Sequence, residues 1–182
     1  MNDRDALRDL LCARSLRKGD FVLSSGARST YYIDARMTTM SGHGQLLIGR
    51  VGLDTLDAAG WEPSSVGGLT LGADPVAYAI AHAAAAAGRQ LEAFTVRKEA
   101  KTHGTGRPIE GGFQTDTDVV VVEDVVTTGD SALRAIQVVE GSGARVLGVL
   151  SVVDREEAGR ERLERAGYAL VSLFTVSALL AD

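Results

Sequence analysis

Residues 119–131 read V-V-V-V-E-D-V-V-T-T-G-D-S, and what this stretch becomes decides the fold. Four consecutive β-branched residues lack the alternation of a half-solvated strand, so they describe a strand buried on both faces, as in a parallel sheet covered by helices. Glu123 and Asp124 then emerge at the C-terminal end of that strand, where open α/β sheets collect ligands. Thr127, Thr128, Gly129, Asp130 and Ser131 turn the chain into the next helix, and a helix N-terminus with free N–H groups and hydroxyls suits a phosphate. Two acids beside a phosphate cradle suit a phosphorylated sugar, the carboxylates taking ribose hydroxyls or Mg²⁺ and the amides taking the phosphate. Taken alone, the same residues also describe a core strand, a solvated strand end and a capped turn.

Outward from this stretch, strands alternate with helices. Apolar spacing predicts helices over 5–13, 45–58, 76–87, 131–140 and 156–166, and strands over 21–23, 31–33, 66–71, 91–96, 119–122, 145–153 and 169–173. The alternation implies one mostly parallel, doubly wound sheet with right-handed crossovers. Residues 97–117 are polar, Gly-bearing and aperiodic, which marks a functional loop with room for a short hairpin inside it. No repeat and no linker divides the chain.

The 182 residues suit a single well-buried domain, and 45% hydrophobic with 24% charged residues is the composition of a globular protein. The N-terminus is charged, and no apolar run reaches the roughly 18 residues needed to span a bilayer, so a cytoplasmic location is expected. The lone Cys12 has no disulfide partner and is expected to pack as a small core residue. A net charge of −5 argues against nucleic acid as a partner. It leaves room for an anionic substrate met by a local basic patch, and Arg97, Lys98, Lys101, His103 and Arg107 form one. Arg97 can grip a phosphate bidentately, whereas the lysines act as point charges.

Several of these segments resemble known motifs. The stretch E-D-V-V-T-T-G-D-S is similar to the phosphoribosyl pyrophosphate (PRPP) motif of type I phosphoribosyltransferases, matching at Glu123, Asp124, Val125, Val126, Thr127, Thr128, Gly129 and Ser131. R-K-E-A-K-T-H-G from Arg97, followed by I-E-G, resembles the catalytic loop of the orotate phosphoribosyltransferase family. Phe21, Leu23, Ser25, Gly26, Ser29, Tyr32, Asp34 and Arg36 resemble that family's N-terminal substrate-binding segment, and V-V-D-R ending at Arg155 resembles its acceptor-contacting strand end.

This resemblance implies a type I phosphoribosyltransferase fold: one α/β domain over 1–182, with a core of about 41–170 and a substrate-covering hood of about 1–40 plus the C-terminal end. It implies transfer of the phosphoribosyl group from PRPP to orotate with Mg²⁺, the first of two steps to uridine monophosphate, the second falling to a separate protein. Lys101 and His103 would be catalytic, with Arg97 and Lys98 on the diphosphate. Glu123 and Asp124 would hold the ribose, Thr127 to Ser131, Asp130 included, the 5′-phosphate, and Val125 and Val126 would belong to the same PRPP site. Arg155, Thr127 and Tyr32 would meet orotate. Mg²⁺ would be held through PRPP and water, with Asp74 as a candidate partner. A homodimer sharing the 97–111 loop between subunits is implied as well. The chain departs from some relatives at Gly72 and Ser24, where they carry lysine.

Three other readings compete. A purine or uracil phosphoribosyltransferase would keep 123–131 without needing the basic loop pattern. A non-catalytic regulator binding PRPP or RNA on this fold would lose the loop cations or gain a basic face. A dinucleotide binder would need an early G-x-G-x-x-G, which the sequence lacks. His43 is expected at the surface and His82 in a packed helix face, with Trp61 covering a core edge. The charges of 156–165 are expected to form a solvated helix face.

Overall fold

Val119 and Val121 pack into one apolar layer and Val120 and Val122 into the other, so the four valines lie between two cores. This is seen in a computed structural model that describes residues 2–22, 26, 28–98 and 108–181. The chain runs α1 (Asp3–Arg14), β1 (Leu16–Val22), β2 (Arg28–Ile33), α2 (Arg36–Thr39), α3 (Gly42–Ala58), β3 (Ser65–Leu69), α4 (Ala73–Ala86), β4 (Glu92–Val96) and β5 (Ile109–Gly111). It continues through β6 (Asp118–Val126), α5 (Asp130–Gly141), β7 (Arg145–Asp154), α6 (Gly159–Arg165), β8 (Leu170–Thr175) and α7 (Val176–Leu180). No helix among the described residues is long and apolar enough to cross a membrane.

The main sheet has the order β5-β4-β3-β6-β7-β8, parallel except for the edge strand β5. Apolar residues of α1, α3, α4 and α7 build the core on one face, and those of α5 and α6 the core on the other. From β3 the chain crosses through α4 to β4 on one side, then returns as β6 on β3's other side. The strand order therefore reverses between β3 and β6, and the crevice outside their C-terminal ends is where such a sheet binds ligands. The β1–β2 pair forms a separate antiparallel hairpin.

Several boundaries differ from expectation for local reasons. β6 runs past the valines to Val126 because β7 offers partners as far as Asp154, so Glu123 and Asp124 lie inside the ladder. α4 starts at Ala73, since Pro75 in a first turn removes an N–H that has no helical partner there. α3 starts at Gly42, with Ser41 Oγ accepting from Gly44 N at 3.1 Å as its cap. α6 begins only at Gly159, because Glu156 takes a left-handed conformation (φ 58°) that ends any helix through 156–158. The hairpin expected inside 97–117 instead recruits the preceding strand: β4 and β5 pair antiparallel, from Phe94 with Gly111 to Val96 with Ile109.

Trp61 covers the core edge by lying on Gly148 of β7, where a Cβ would stand 2.4 Å from Trp61 Cζ2. Cys12 is half-buried against the core and its thiol faces the Leu179 carbonyl at 3.4 Å. His43 is exposed, and so is His82, which faces solvent from α4 instead of packing.

Candidate active site

Glu123 and Asp124 stand at the switch point. Glu123 is 5% exposed, and its Oε1 has no hydrogen-bond partner. Burial first, then the neighbouring charge of Asp124, pushes its carboxyl up to about 8. Asp124 is also raised by burial, opposed by the Val125 N–H donating to Oδ1 at 2.9 Å and by the positive charge of Arg36. Arg36 clasps Asp34 through Nε at 2.8 Å and Nη2 at 3.0 Å, which holds the Asp34 carboxyl below its ordinary range. The N-terminal segment thus brings a cation towards the acid pair. Gly72, at the entry to α4, backs Asp124 so closely that a Cβ there would lie 2.4 Å from Asp124 Oδ1.

Beyond the acids, Val125 to Ala132 wrap a cavity of about 100 Å³ that Glu123 also lines. Gly129, at φ 78°, makes the left-handed turn that aims the first N–H groups of α5 into it. Thr128 Oγ1 donates to Asp130 Oδ2 at 2.7 Å, and Arg162 Nη2 meets Asp130 Oδ1 at 2.7 Å. Those two contacts hold the Asp130 carboxyl below its ordinary range. Arg162 Nη1 also donates to the Thr128 carbonyl at 3.0 Å, and Gly159 N to the Thr127 carbonyl at 2.9 Å. Asp130 is therefore neutralised from α6 and leaves the cradle open to an anion.

Arg97 and Lys98 follow β4 at the base of the basic segment. Arg97 Nε and Nη2 reach Glu110 Oε1 at 3.0 and 2.9 Å across the β4–β5 stem, and Arg134 of α5 donates to the Lys98 carbonyl. Lys101 and His103 lie outside the described residues, as do Leu23, Ser24, Ser25 and Arg107.

On the adjacent strand, Arg155 follows the end of β7. Its side chain is 14% exposed, pairs with Glu157 at 2.9 Å, and keeps Nε buried without a partner. The guanidinium lies 5.3 Å from the Tyr31 ring centroid. Tyr32, its neighbour on β2, is 41% exposed and its ring lies 5.7 Å from that of Phe21. The tyrosine brought against Arg155 is thus Tyr31. Asp74 accepts from Thr70 Oγ1 at 2.6 Å and Thr95 Oγ1 at 2.8 Å, so each of its oxygens already serves one protein hydroxyl.

The sequence pointed to most of these positions but not to Arg160, Arg162 or Tyr31. Arg160 grips Asp154 through Nε at 3.0 Å and Nη2 at 2.8 Å. The charges of α6 are not simply solvated, because Arg160 braces the end of β7 and Arg162 the turn between β6 and α5.

The chain matches no family model. It is 46% identical to the orotate phosphoribosyltransferase of Aquifex aeolicus over 99% of both chains, and 45% identical to that of Mycobacterium tuberculosis over 99% of this chain and 98% of the relative. Among solved structures, the M. tuberculosis orotate phosphoribosyltransferase in complex with Fe(III) dicitrate superposes with a TM-score of 0.87 at 45% identity, covering 98% of this chain and 99% of that one. The same enzyme in complex with PRPP gives 0.84 at 41% identity, over 99% and 100%. With a type I phosphoribosyltransferase fold, an acid pair and anion cradle at its switch point, and near-full-length relatives of this identity, the chain belongs to the orotate phosphoribosyltransferase family.

Proposed function

We propose that the protein is a pentosyltransferase that moves the 5-phosphoribosyl group of PRPP onto N1 of orotate, giving orotidine 5′-monophosphate and pyrophosphate. The C1′–O bond to the diphosphate breaks, the C1′–N1 bond forms, and N1 gives up its proton. The observation that carries this reading is the buried, uncommitted Nε of Arg155 one strand away from the acid pair and anion cradle. A donor site with a sugar and phosphate character thus adjoins a cation able to take a planar anionic acceptor.

In this reading the cradle from Val125 to Ser131 binds the 5′-phosphate through the N-terminal amides of α5. Glu123 and Asp124 hold the ribose hydroxyls, so that C1′ is fixed while it gains positive charge. Arg97 and Lys98 take the diphosphate, Arg97 exchanging Glu110 for it. Arg155 takes the orotate carboxylate with Thr127 nearby, the open ring of Tyr32 stacks on the pyrimidine, and Tyr31 backs Arg155. Mg²⁺ fits the hard oxygens of this site, one of which, Glu123 Oε1, is buried without a partner. When bound, it supplies neutralisation of the leaving diphosphate, with Asp74 reaching it through water at most. Lys101 and His103 are assigned to the leaving group, and Lys101→Ala is expected to lower kcat about 100-fold or more, as for loss of one charge-stabilising donor.

The protein acts as one domain with a hood, in the cytoplasm, and as a homodimer whose 97–111 loop serves the neighbouring site. Exposed Met37, Met40, Leu46, Leu71 and Tyr78 support the dimer. They lie on segments that Gln45 ties together, its amide donating to the carbonyls of Thr39 at 2.5 Å and Pro75 at 2.7 Å. The direct test follows the loss of orotate absorbance in the presence of PRPP and Mg²⁺. Turnover of another base in place of orotate would overturn the acceptor assignment.

A further inference from the structure

Arg155 sits in a turn whose shape is set by its neighbours. Glu156 has φ 58°, an uncommon conformation for a residue bearing a Cβ, and it brings the flanking Arg155 and Glu157 into an ion pair at 2.9 Å. The turn is held on its β7 side, where the Glu156 N–H donates to Asp154 Oδ1 at 2.8 Å and Arg160 fixes Asp154 Oδ2. On its other side the Glu156 carboxylate accepts from Ser177 N at 2.8 Å and from Ser177 Oγ. Ser177 belongs to α7, which is itself seated by the Thr175 Oγ1 cap on Ala178 N at 3.2 Å and by Leu179 in the core. A residue in a rarely adopted backbone region persists when its surroundings hold it, and such residues gather at ligand sites.

We propose that Glu156 and Ser177 form a clamp that positions Arg155 for the acceptor's carboxylate, making α7 an acceptor-specificity element of the enzyme. The proposal rests on the reading of Arg155 as the orotate-binding residue. Neither clamp residue touches substrate in this scheme; both act through the orientation of the guanidinium. The donor half of the site, built on β6 and α5, does not share the clamp.

Steady-state kinetics with PRPP, orotate and uracil, an acceptor without the carboxylate, tests this. Ser177→Ala removes the hydroxyl donor of the clamp and leaves the Ser177 N–H, whereas Glu156→Gly removes both contacts, and glycine still accepts the positive φ. Each is expected to raise KM for orotate about three- to tenfold, the scale of a lost hydrogen bond to a charged group near the surface. KM for PRPP is expected to stay within about twofold, and the preference for orotate over uracil to fall by the same factor as orotate binding. The double variant should be no worse than Glu156→Gly alone, and Ser177→Thr, which keeps both donors, should behave as the parent. An unchanged orotate KM in Ser177→Ala overturns the clamp, as does a Glu156→Gly enzyme indistinguishable from the parent, because turn shape alone would then suffice. Parallel rises in both KM values with a lower melting temperature also overturn it, reducing the contact to a structural one. Arg155→Gln separates the two levels: a raised orotate KM there beside an unaffected Ser177→Ala defeats only the clamp. An Arg155→Gln enzyme with unchanged orotate KM defeats the acceptor reading and the clamp with it.

Discussion

The surroundings of Glu123 favour its protonated form at neutral pH. Its ordinary value is 4.5, and the folded value of about 8 is set by burial and by Asp124. Between the two, the native state binds a proton that the unfolded chain has released, so stability falls as pH rises through that window and is fully present below it. Denaturant titration of the ligand-free protein at about pH 5 and about pH 8 should show this loss, and Glu123→Gln should flatten it, because an amide has no proton to give up. Gly72 gives a second test at this scale. Restoring the lysine found in some relatives should not add a diphosphate contact, since its Cβ would collide with Asp124 Oδ1. Gly72→Lys is expected to raise KM for PRPP about tenfold or more by displacing Asp124, as small misplacements of site groups do. The acids were legible in the sequence because they sit in a short local pattern, and Gly72 stood out only against the lysine of some relatives. Tyr31 was not, because two adjacent aromatic residues on one strand face opposite sides and nothing local says which side holds Arg155.

At the scale of elements, α6 braces the donor cradle. Arg162 ties Thr128 and Asp130 from outside the loop that contains them. Arg162→Ala should leave the melting temperature nearly unchanged, as loss of exposed ion pairs does, yet raise KM for PRPP about three- to fivefold by freeing the loop and exposing the Asp130 charge to the phosphate. Comparison of melting temperature with KM in the one variant separates the two effects. β6 and α5 were readable from four valines and a Thr-Gly turn, since burial on both faces and a helix start are written within a few residues. The short helices α2 and α7 were not, for their four and five residues are too few to show a period and their packing decides them. The Arg160 and Arg162 pairs escaped for a related reason: a partner on another element leaves no spacing to read.

At the scale of the whole molecule, the reversal of strand order between β3 and β6 places the acid pair, the cradle and Arg155 at the C-terminal ends of neighbouring strands. That arrangement followed from the alternation of elements, whereas assembly depends on surfaces that periodicity does not describe. Sedimentation should find a dimer at micromolar concentration, and Met40→Asp, at an exposed apolar position, should weaken association about tenfold or more. A parent protein that is fully active as a monomer would overturn both the dimer and the sharing of the loop. Trp61 packs on the sheet away from the strand ends that carry the site. It is the chain's one tryptophan, and it rests on Gly148 in the first half of β7, several residues before the strand end that leads to Arg155. Its fluorescence is therefore a built-in gauge of whether the sheet is assembled, largely blind to what occupies the crevice, so an optical signal for substrate binding requires a second indole introduced near Tyr32.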